Sequence, residues 1–378
     1  MATNSTSWTS VQGFLQNSDQ QAIACFNQVN WDQLCRIASD ANRGLECVTL
    51  DQITSGLNNV IRQLQFSDKT RWAARIPILR SESSCSYENN LQNEIATMQF
   101  IQENSSLRVP RVFVYNADMN KAVNAAFMLM EILPGMVAMD ALGGHKVHGG
   151  VIPVEYRKTF YRSVAECHVQ MASLRLPNIG AVTRREDGGY EPGPIPGIGG
   201  PFDTAAAFFE AWTDKVKFKL DKETIAQMMQ RGPHDQPTSF PQRGTIPLCH
   251  DDFLHSNIMV DEASFNVTGI IDWEGACTVP WGLVTYPEFI QVMPRAFDLP
   301  QHYDQDGHPL KERVREKWYE QRDYVEMVKS VEGEDHLLST SLSNNLNQAL
   351  AYSYGAFTTG KLGFYDRVVT ELKKGISV

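Results

Sequence analysis

The stretch Ile246-Pro-Leu-Cys-His-Asp-Asp-Phe-Leu-His-Ser-Asn-Ile-Met-Val-Asp261, continued by Val267-Thr-Gly-Ile-Ile-Asp-Trp-Glu-Gly-Ala276, decides the reading of this chain. A short apolar run ending at Leu248 delivers a polar loop, His250 to Asn257. A second run, Ile258 to Val260, leaves the loop. A turn through Asn266 returns a third, Val267 to Ile271, which ends on Asp272. Short apolar runs bounded by polar turns read as buried strands. Such strands would carry Asp252, Asn257 and Asp272 to one rim.

Those side chains are the ones phosphoryl transfer needs. The moving group carries spread negative charge, so catalysis rests on positioning and on cations that clamp the phosphates. Asp252 can accept the proton of an attacking hydroxyl. Asn257 and Asp272 offer hard oxygen ligands suited to Mg²⁺. His250 reads as a brace for the loop through hydrogen bonds, and Glu274 as a further brace.

The pattern His250-x-Asp252-x-x-x-x-Asn257, followed by Ile271-Asp272-Trp273-Glu274, resembles the catalytic loop and metal-binding segment of the aminoglycoside phosphotransferase family, in particular its large fungal branch. The similarity runs in order from about Gly56 to Pro287. It implies an α+β, protein-kinase-like bilobal fold, with a small β-rich N-lobe and a larger, mainly helical C-lobe. It also implies ATP and Mg²⁺ as cofactors and a small-molecule hydroxyl as acceptor. By the same resemblance Arg75 is the cation on the nucleotide phosphates, where protein kinases use lysine. Arginine keeps the charge and can hold phosphate through two parallel hydrogen bonds. Glu94, on the helix that follows, is the partner that orients Arg75. Gly56 marks a glycine-poor phosphate-covering turn. Met130-Glu131-Ile132-Leu133-Pro134-Gly135 matches the hinge, with Glu131 and Leu133 as the adenine-reading positions. Two alternatives stay open: a kinase-fold biosynthetic enzyme with altered chemistry, and a pseudokinase that binds nucleotide or a partner without turnover.

Outward from the motif, residues 13–47 carry apolar positions at helical spacing (Phe14, Ile23, Phe26, Leu34, Ile37). Two alternating runs between Ser55 and Arg80 predict a β-hairpin. Leu91, Ile95, Met98 and Ile101 mark one face of a helix. Strands are expected around Val109–Tyr115 and Ala126–Met130, and a small hairpin at Asp187-Gly188-Gly189. The expected organisation is a helical extension over 1–50, a nucleotide-binding lobe over 51–133 and a catalytic and substrate-binding lobe over 134–378, with a cleft between the lobes. The acceptor is expected to contact the 136–153 loop, helices over 204–232 and the C-terminal region.

Composition narrows the function classes. The 378 residues hold 34 Lys and Arg against 44 Asp and Glu, a formal net charge of −10. No basic run builds a nucleic-acid-binding face. No stretch approaches the roughly 18 apolar residues of a membrane span. Seven scattered cysteines without a CxxC pair argue against a zinc cluster or a disulfide framework. Together with the lack of a signal-peptide pattern, these features lead to the expectation of a cytoplasmic protein with a small-molecule partner, and with neither nucleic acid nor membrane.

Overall fold

A computed structural model describes residues 8–78, 84–117, 122–149, 151–215, 245–295, 298 and 300–358. Along the chain these form strand β1 (Thr9–Ser10), helices α1 (Val11–Asn17), α2 (Gln20–Gln28) and α3 (Trp31–Ala41), then strands β2 (Cys47–Ser55), β3 (Asn59–Phe66) and β4 (Arg71–Pro77). Helix α4 (Ser84–Asn104), strands β5 (Val112–Asn116), β6 (Phe127–Glu131) and β7 (Met136–Val137), and helices α5 (His145–His148) and α6 (Val154–Ser173) follow. Next come β8 (Arg175–Leu176), β9 (Gly180–Arg184), β10 (Tyr190–Gly193), α7 (Ala205–Lys215), β11 (Ile246–Cys249), β12 (Ile258–Val260), β13 (Val267–Ile270) and β14 (Cys277–Thr278). Helices α8 (Glu312–Val331), α9 (Leu337–Ser343) and α10 (Asn345–Thr358) complete the described chain. The parts of 204–232 and of the C-terminal region that were expected to meet an acceptor beyond Lys215 and Thr358 lie outside the described residues.

The chain divides into two compact units, Met1–Phe160 with Leu254–Gly275, and Tyr161–Phe253 with Ala276–Val378. The first is built on a six-stranded antiparallel sheet of order β1-β2-β3-β4-β6-β5. Period-2 alternation on β4 sends Trp72, Ala74 and Ile76 to one face, where they join Leu34 and Ala38 of α3, Leu64 and Phe66 of β3, and Phe127 and Leu129 of β6 in one core. The N-terminal helices begin with side-chain caps: Ser10, Asp19 and Asn30 accept from backbone N–H groups of α1, α2 and α3. Phe14 and Ala22 close over Ile53 and Val60. With both faces covered, every β4 residue after Arg71 is buried. Alternation therefore turns Arg75 to the face opposite Trp72 and Ile76.

In the same unit β13, β12 and β7 form a three-stranded antiparallel sheet. Chain reversal from hinge to β7 happens at Gly135, whose φ of +99° places an imagined Cβ 2.2 Å from the Val260 carbonyl oxygen. Only glycine avoids both the left-handed penalty and that overlap. Gly56, by contrast, has an ordinary φ and open space where a Cβ would stand. The hydrogen bond from the Gly56 N–H to the Asn59 carbonyl, 3.0 Å, closes the β2–β3 turn.

The second unit holds a five-stranded antiparallel sheet of order β10-β9-β14-β11-β8. Gly188, at φ +86°, makes the β9–β10 hairpin that Asp187-Gly188-Gly189 predicts. Ile179, Phe208, Ile246 and Leu283 form its core with Tyr354 packed against them. His168, buried on α6, donates to or accepts from the Tyr324 hydroxyl at 3.1 Å, and burial pulls its pKa down to about 3, so it is a neutral core histidine.

Gly135→Ala should lower unfolding free energy by about 2–4 kcal/mol, the combined cost of left-handed backbone and overlap. Gly56→Ala should change it by less than about 0.5 kcal/mol. Urea denaturation of both variants checks this, and equal midpoints would refute the assignment of the strained turn to Gly135.

Candidate active site

Strand β4 delivers Arg75 into the first unit with a guanidinium that is almost wholly buried. Its Nη1 contacts Glu94 Oε1, donated by the α4 face that also carries Leu91 and Ile95. Its Nη2 donates to Asp272 Oδ1 at 3.0 Å and to Glu274 Oε2 at 3.4 Å. One cation thus bridges three carboxylates: Glu94 fully buried, Asp272 and Glu274 part-exposed. Burial alone would lower the Arg75 pKa; the surrounding carboxylates outweigh it and the net direction is up. Burial pushes the Glu94 carboxyl up to about 7, with Asp272 and Glu274 adding and Arg75 opposing.

Asp272 stands just past the end of β13. The Ile271 N–H donates to the Asn257 carbonyl at 2.9 Å, which ties the start of β12 to the end of β13. Asp272 then takes a left-handed φ of +63°. Aspartate tolerates this region better than most residues, and an outlier at a strand end beside an ion pair points to function. Fully buried Trp273 donates its indole N–H to the Ile270 carbonyl at 3.1 Å and locks the turn. Asn257 is buried. A small cavity next to Arg75 is lined by Asn59, Asn90, Glu94, Met128 and Glu274. Asn90 lies one helical turn before Glu94, and its buried Oδ1 has no hydrogen-bond partner.

The hinge segment also falls in this unit. The Glu131 N–H donates to the Arg111 carbonyl at 2.8 Å, and the Glu131 carboxylate accepts from Arg108 and from the Arg111 N–H, both at 3.3 Å. Leu133 is buried against Gly269, where a Cβ would meet Leu133 Cδ1 at 2.5 Å. The Thr268 hydroxyl donates to the Pro134 carbonyl at 2.6 Å.

His250 and Asp252 belong to the second unit. His250 is buried, and its Nδ1 accepts the Asp252 N–H at 3.1 Å, which fixes the ring tautomer with the proton on Nε2. The Asp252 side chain is exposed. Phe253 packs its ring edge-on against His168, and its carbonyl accepts the Glu288 N–H at 3.2 Å. Beyond Glu288 the chain lines a cavity of about 900 Å³ with Tyr286, Arg295, Tyr303, Trp318 and Arg322.

The structure therefore brings Arg75, Glu94 and Asp272 together and ties the Asn257 backbone to Ile271, next to Asp272. It adds Glu274 to the Arg75 cluster, a role sequence reading gave to loop bracing. It also adds Asn59 and Asn90, whose only sequence signal is their place beside Gly56 and one turn from Glu94.

Replacing Arg75 by Met should cost about 3–5 kcal/mol, because it strands a buried carboxylate. Glu94→Gln in the same chain should recover part of that loss. A second expectation concerns pH. Glu94 has a folded pKa above its ordinary 4.5, so its stabilising contribution is present below about 4.5 and is lost as pH rises through about 7. Wild type should lose stability relative to Glu94→Gln across that window in urea titrations. Parallel pH curves would contradict it.

Comparison with known proteins agrees in kind. Residues 49–282, well over half of the chain, match the phosphotransferase enzyme family, APH. "Altered inheritance of mitochondria protein 9, mitochondrial" of Meyerozyma guilliermondii is 22% identical over 53% of this chain and 33% of its own length. The protein of that name from Saccharomyces cerevisiae (strain YJM789) is 24% identical over 39% of this chain and 23% of its own. The matched region thus spans a third or less of these two curated fungal relatives. Among solved structures, the macrolide 2'-phosphotransferase MphH of Brachybacterium faecium is 14% identical with a TM-score of 0.40, covering 90% of this chain and 98% of that one. The relatives' names overturn the expectation of a cytoplasmic protein: both are named as mitochondrial. Composition and cysteine density carry the same signal in any reducing aqueous compartment, so they could not separate the two. The chain belongs to the phosphotransferase enzyme family and has its protein-kinase-like α+β fold.

Proposed function

We propose that the chain transfers the terminal phosphoryl group of ATP, with Mg²⁺, to a hydroxyl of a small molecule. The observation that supports this best is the buried Arg75 held by Glu94, Asp272 and Glu274. A cation placed so deeply, with carboxylates at both ends of its reach, is costly to bury unless the site needs a fixed positive charge. Arg75 grips the nucleotide phosphates, and Glu94 sets its orientation. The Gly56 turn lies over the same phosphates. The Glu131 carbonyl and the Leu133 backbone read the adenine edge, since the Glu131 N–H is taken by Arg111.

Asn257 and Asp272 fit a magnesium ion: both are hard oxygen donors, and the Ile271–Asn257 hydrogen bond keeps their backbones side by side. Magnesium, when bound, neutralises phosphate charge during transfer. Asp252 takes the proton of the acceptor hydroxyl, and its backbone is fixed by His250. The acceptor is a small molecule held in the second unit, with its aromatic and arginine-lined cavity as the place to hold it. No nucleic-acid partner is proposed for a chain of net charge −10, and no membrane-spanning one, since among the described residues no helix is long and apolar enough to cross a membrane. A mitochondrial location is part of the proposal, on the strength of the relatives' names.

Calorimetry of ATP binding with and without Mg²⁺, together with acceptor-dependent turnover, tests the reading. Asp252→Ala should keep nucleotide affinity within about twofold and lower turnover by roughly 10²–10⁴. Asp272→Ala should instead weaken Mg²⁺-dependent ATP binding. Near-normal turnover in Asp252→Ala would sink the mechanism, and a wild type that binds no ATP would turn attention to altered chemistry or partner binding.

A further inference from the structure

The cavity of about 900 Å³ in the second unit has the size of a small-molecule site, for which about 300–1,000 Å³ is usual. Residues of α8, α9 and α10 line it, together with the hairpin that the Tyr303–Pro309 bridge closes. Val314, Val325 and Leu342 supply apolar surface, and Tyr286, Tyr303 and Trp318 supply flat aromatic surface. Its glutamines are committed to the protein. Gln291 donates to the Thr285 hydroxyl at 3.0 Å, Gln321 to the Ile290 carbonyl at 3.1 Å and Gln348 to the Val284 carbonyl at 3.1 Å.

Two guanidiniums of the lining are stacked on rings. Arg295 lies 5.3 Å from the centre of the Tyr303 ring, and Arg322 lies 5.5 Å from that of Trp318. The first stack depends on a glycine: a Cβ on Gly307 would stand 2.1 Å from Arg295 Nη1. Both stacks belong to one wall, because the His308 ring of the same hairpin meets Trp318 edge-on at 5.4 Å. Among the described residues neither guanidinium has a carboxylate within ion-pair distance. The acids nearby have other partners. Asp298 holds His302 at 2.6 Å, Asp304 holds His308 at 3.5 Å and Glu326 holds Lys329 at 2.7 Å. The Asp306 carboxylate lies within 4.8 Å of the Asp304 and His308 groups. That leaves exposed Asp323 against two guanidiniums.

A guanidinium stacked on a ring keeps its charge and its in-plane N–H donors, which is the geometry that takes an oxyanion through paired hydrogen bonds. The aromatic faces beside it suit a flat body. We propose that this cavity binds a flat, largely apolar small molecule carrying an anionic group, carboxylate or phosphate, with Arg295 and Arg322 receiving the anion. The inference rests on the reading of the cavity as the place that holds the acceptor, and it names the acceptor's class: a hydroxyl-bearing organic anion, not a cationic amine. The chain itself links the two readings. Glu288, two residues after Tyr286 of the lining, donates its N–H to the carbonyl of Phe253, the residue that follows Asp252.

Full-length protein should be titrated by calorimetry with hydroxynaphthoate, hydroxynaphthamide and (aminomethyl)naphthol, which share one flat body and differ in charge. The carboxylate is expected to bind at least about tenfold tighter than the amide or the amine, as a charge-assisted hydrogen bond provides. Arg295→Gln and Arg322→Gln should each weaken the carboxylate by about tenfold and leave the amide within about twofold, a split that loss of structure alone would not produce. Both side chains are exposed, and circular dichroism confirms that the variants are folded. Naphthyl phosphate in the same titrations identifies the head group: tighter binding than the carboxylate gives phosphate, and weaker binding gives carboxylate. Equal affinity for the three charge forms, preference for the amine, or variants that weaken all probes alike would overturn the proposal. ATP titrations of the same proteins separate it from phosphotransfer. A wild type that shows the anion preference but binds no ATP keeps the anion site and removes the phosphotransfer reading. One that binds ATP with Mg²⁺ and shows no charge preference does the reverse.

Discussion

The buried contact between Arg75 and its carboxylates is the constraint on which the first unit depends. A guanidinium removed from water is expensive unless its charge and its donors are matched. The chain matches it with three acids from separate places: Glu94 on α4, and Asp272 and Glu274 after β13. Strand β4 must be registered so that Arg75 faces α4, and a one-residue slip would put it in the core of Leu64, Phe66 and Phe127 and turn Trp72 and Ile76 out of it. The six-stranded sheet, the helices that seal its other face and the αL turn at Asp272 all serve that placement. The ion pair is a positional device first, and its net contribution to stability is the smaller part of its role.

The same economy is visible in the loop around His250. An imidazole that accepts the Asp252 N–H orients the backbone of the proposed base and leaves its carboxylate exposed to solvent. Phe253, next in sequence, is buried against His168, which burial keeps neutral and which shares a hydrogen bond with the Tyr324 hydroxyl. A rigid apolar anchor next to Asp252 lets a short loop hold one conformation while that residue stays exposed. Gly135 does comparable work at the hinge, where the close approach to Val260 leaves no room for a side chain.

Much of the fold was legible in the sequence because its signals are local. Alternating runs around Ser55–Arg80 gave β3 and β4, the Leu91–Ile101 face gave α4, and Asp187-Gly188-Gly189 gave a hairpin. Less legible was the five-stranded sheet of the second unit. Its strands β8 and β14 are two residues each, too short for a period to register, and they find their partners far along the chain. In the candidate site, Asp252, Asn257 and Asp272 were visible as a spaced motif, whereas Glu274 on Arg75 and the unpartnered Asn90 were not. A carboxylate next to a motif can brace, bind or face water, and only contact with a distant residue tells these apart.

The sequence by itself determined the family and the residues its motif supplies: Asp252, Asn257 and Asp272 at family spacing, with Arg75 upstream. It did so because spacing along a strand and loop is a local property. The tertiary structure decided how distant side chains meet: that one buried guanidinium answers to three carboxylates, and that Cys249 stands opposite Cys277 across β11 and β14. The physical reason is that the pKa and reactivity of a side chain depend on burial and on neighbours brought together across the fold, and neither is encoded in its own stretch of sequence.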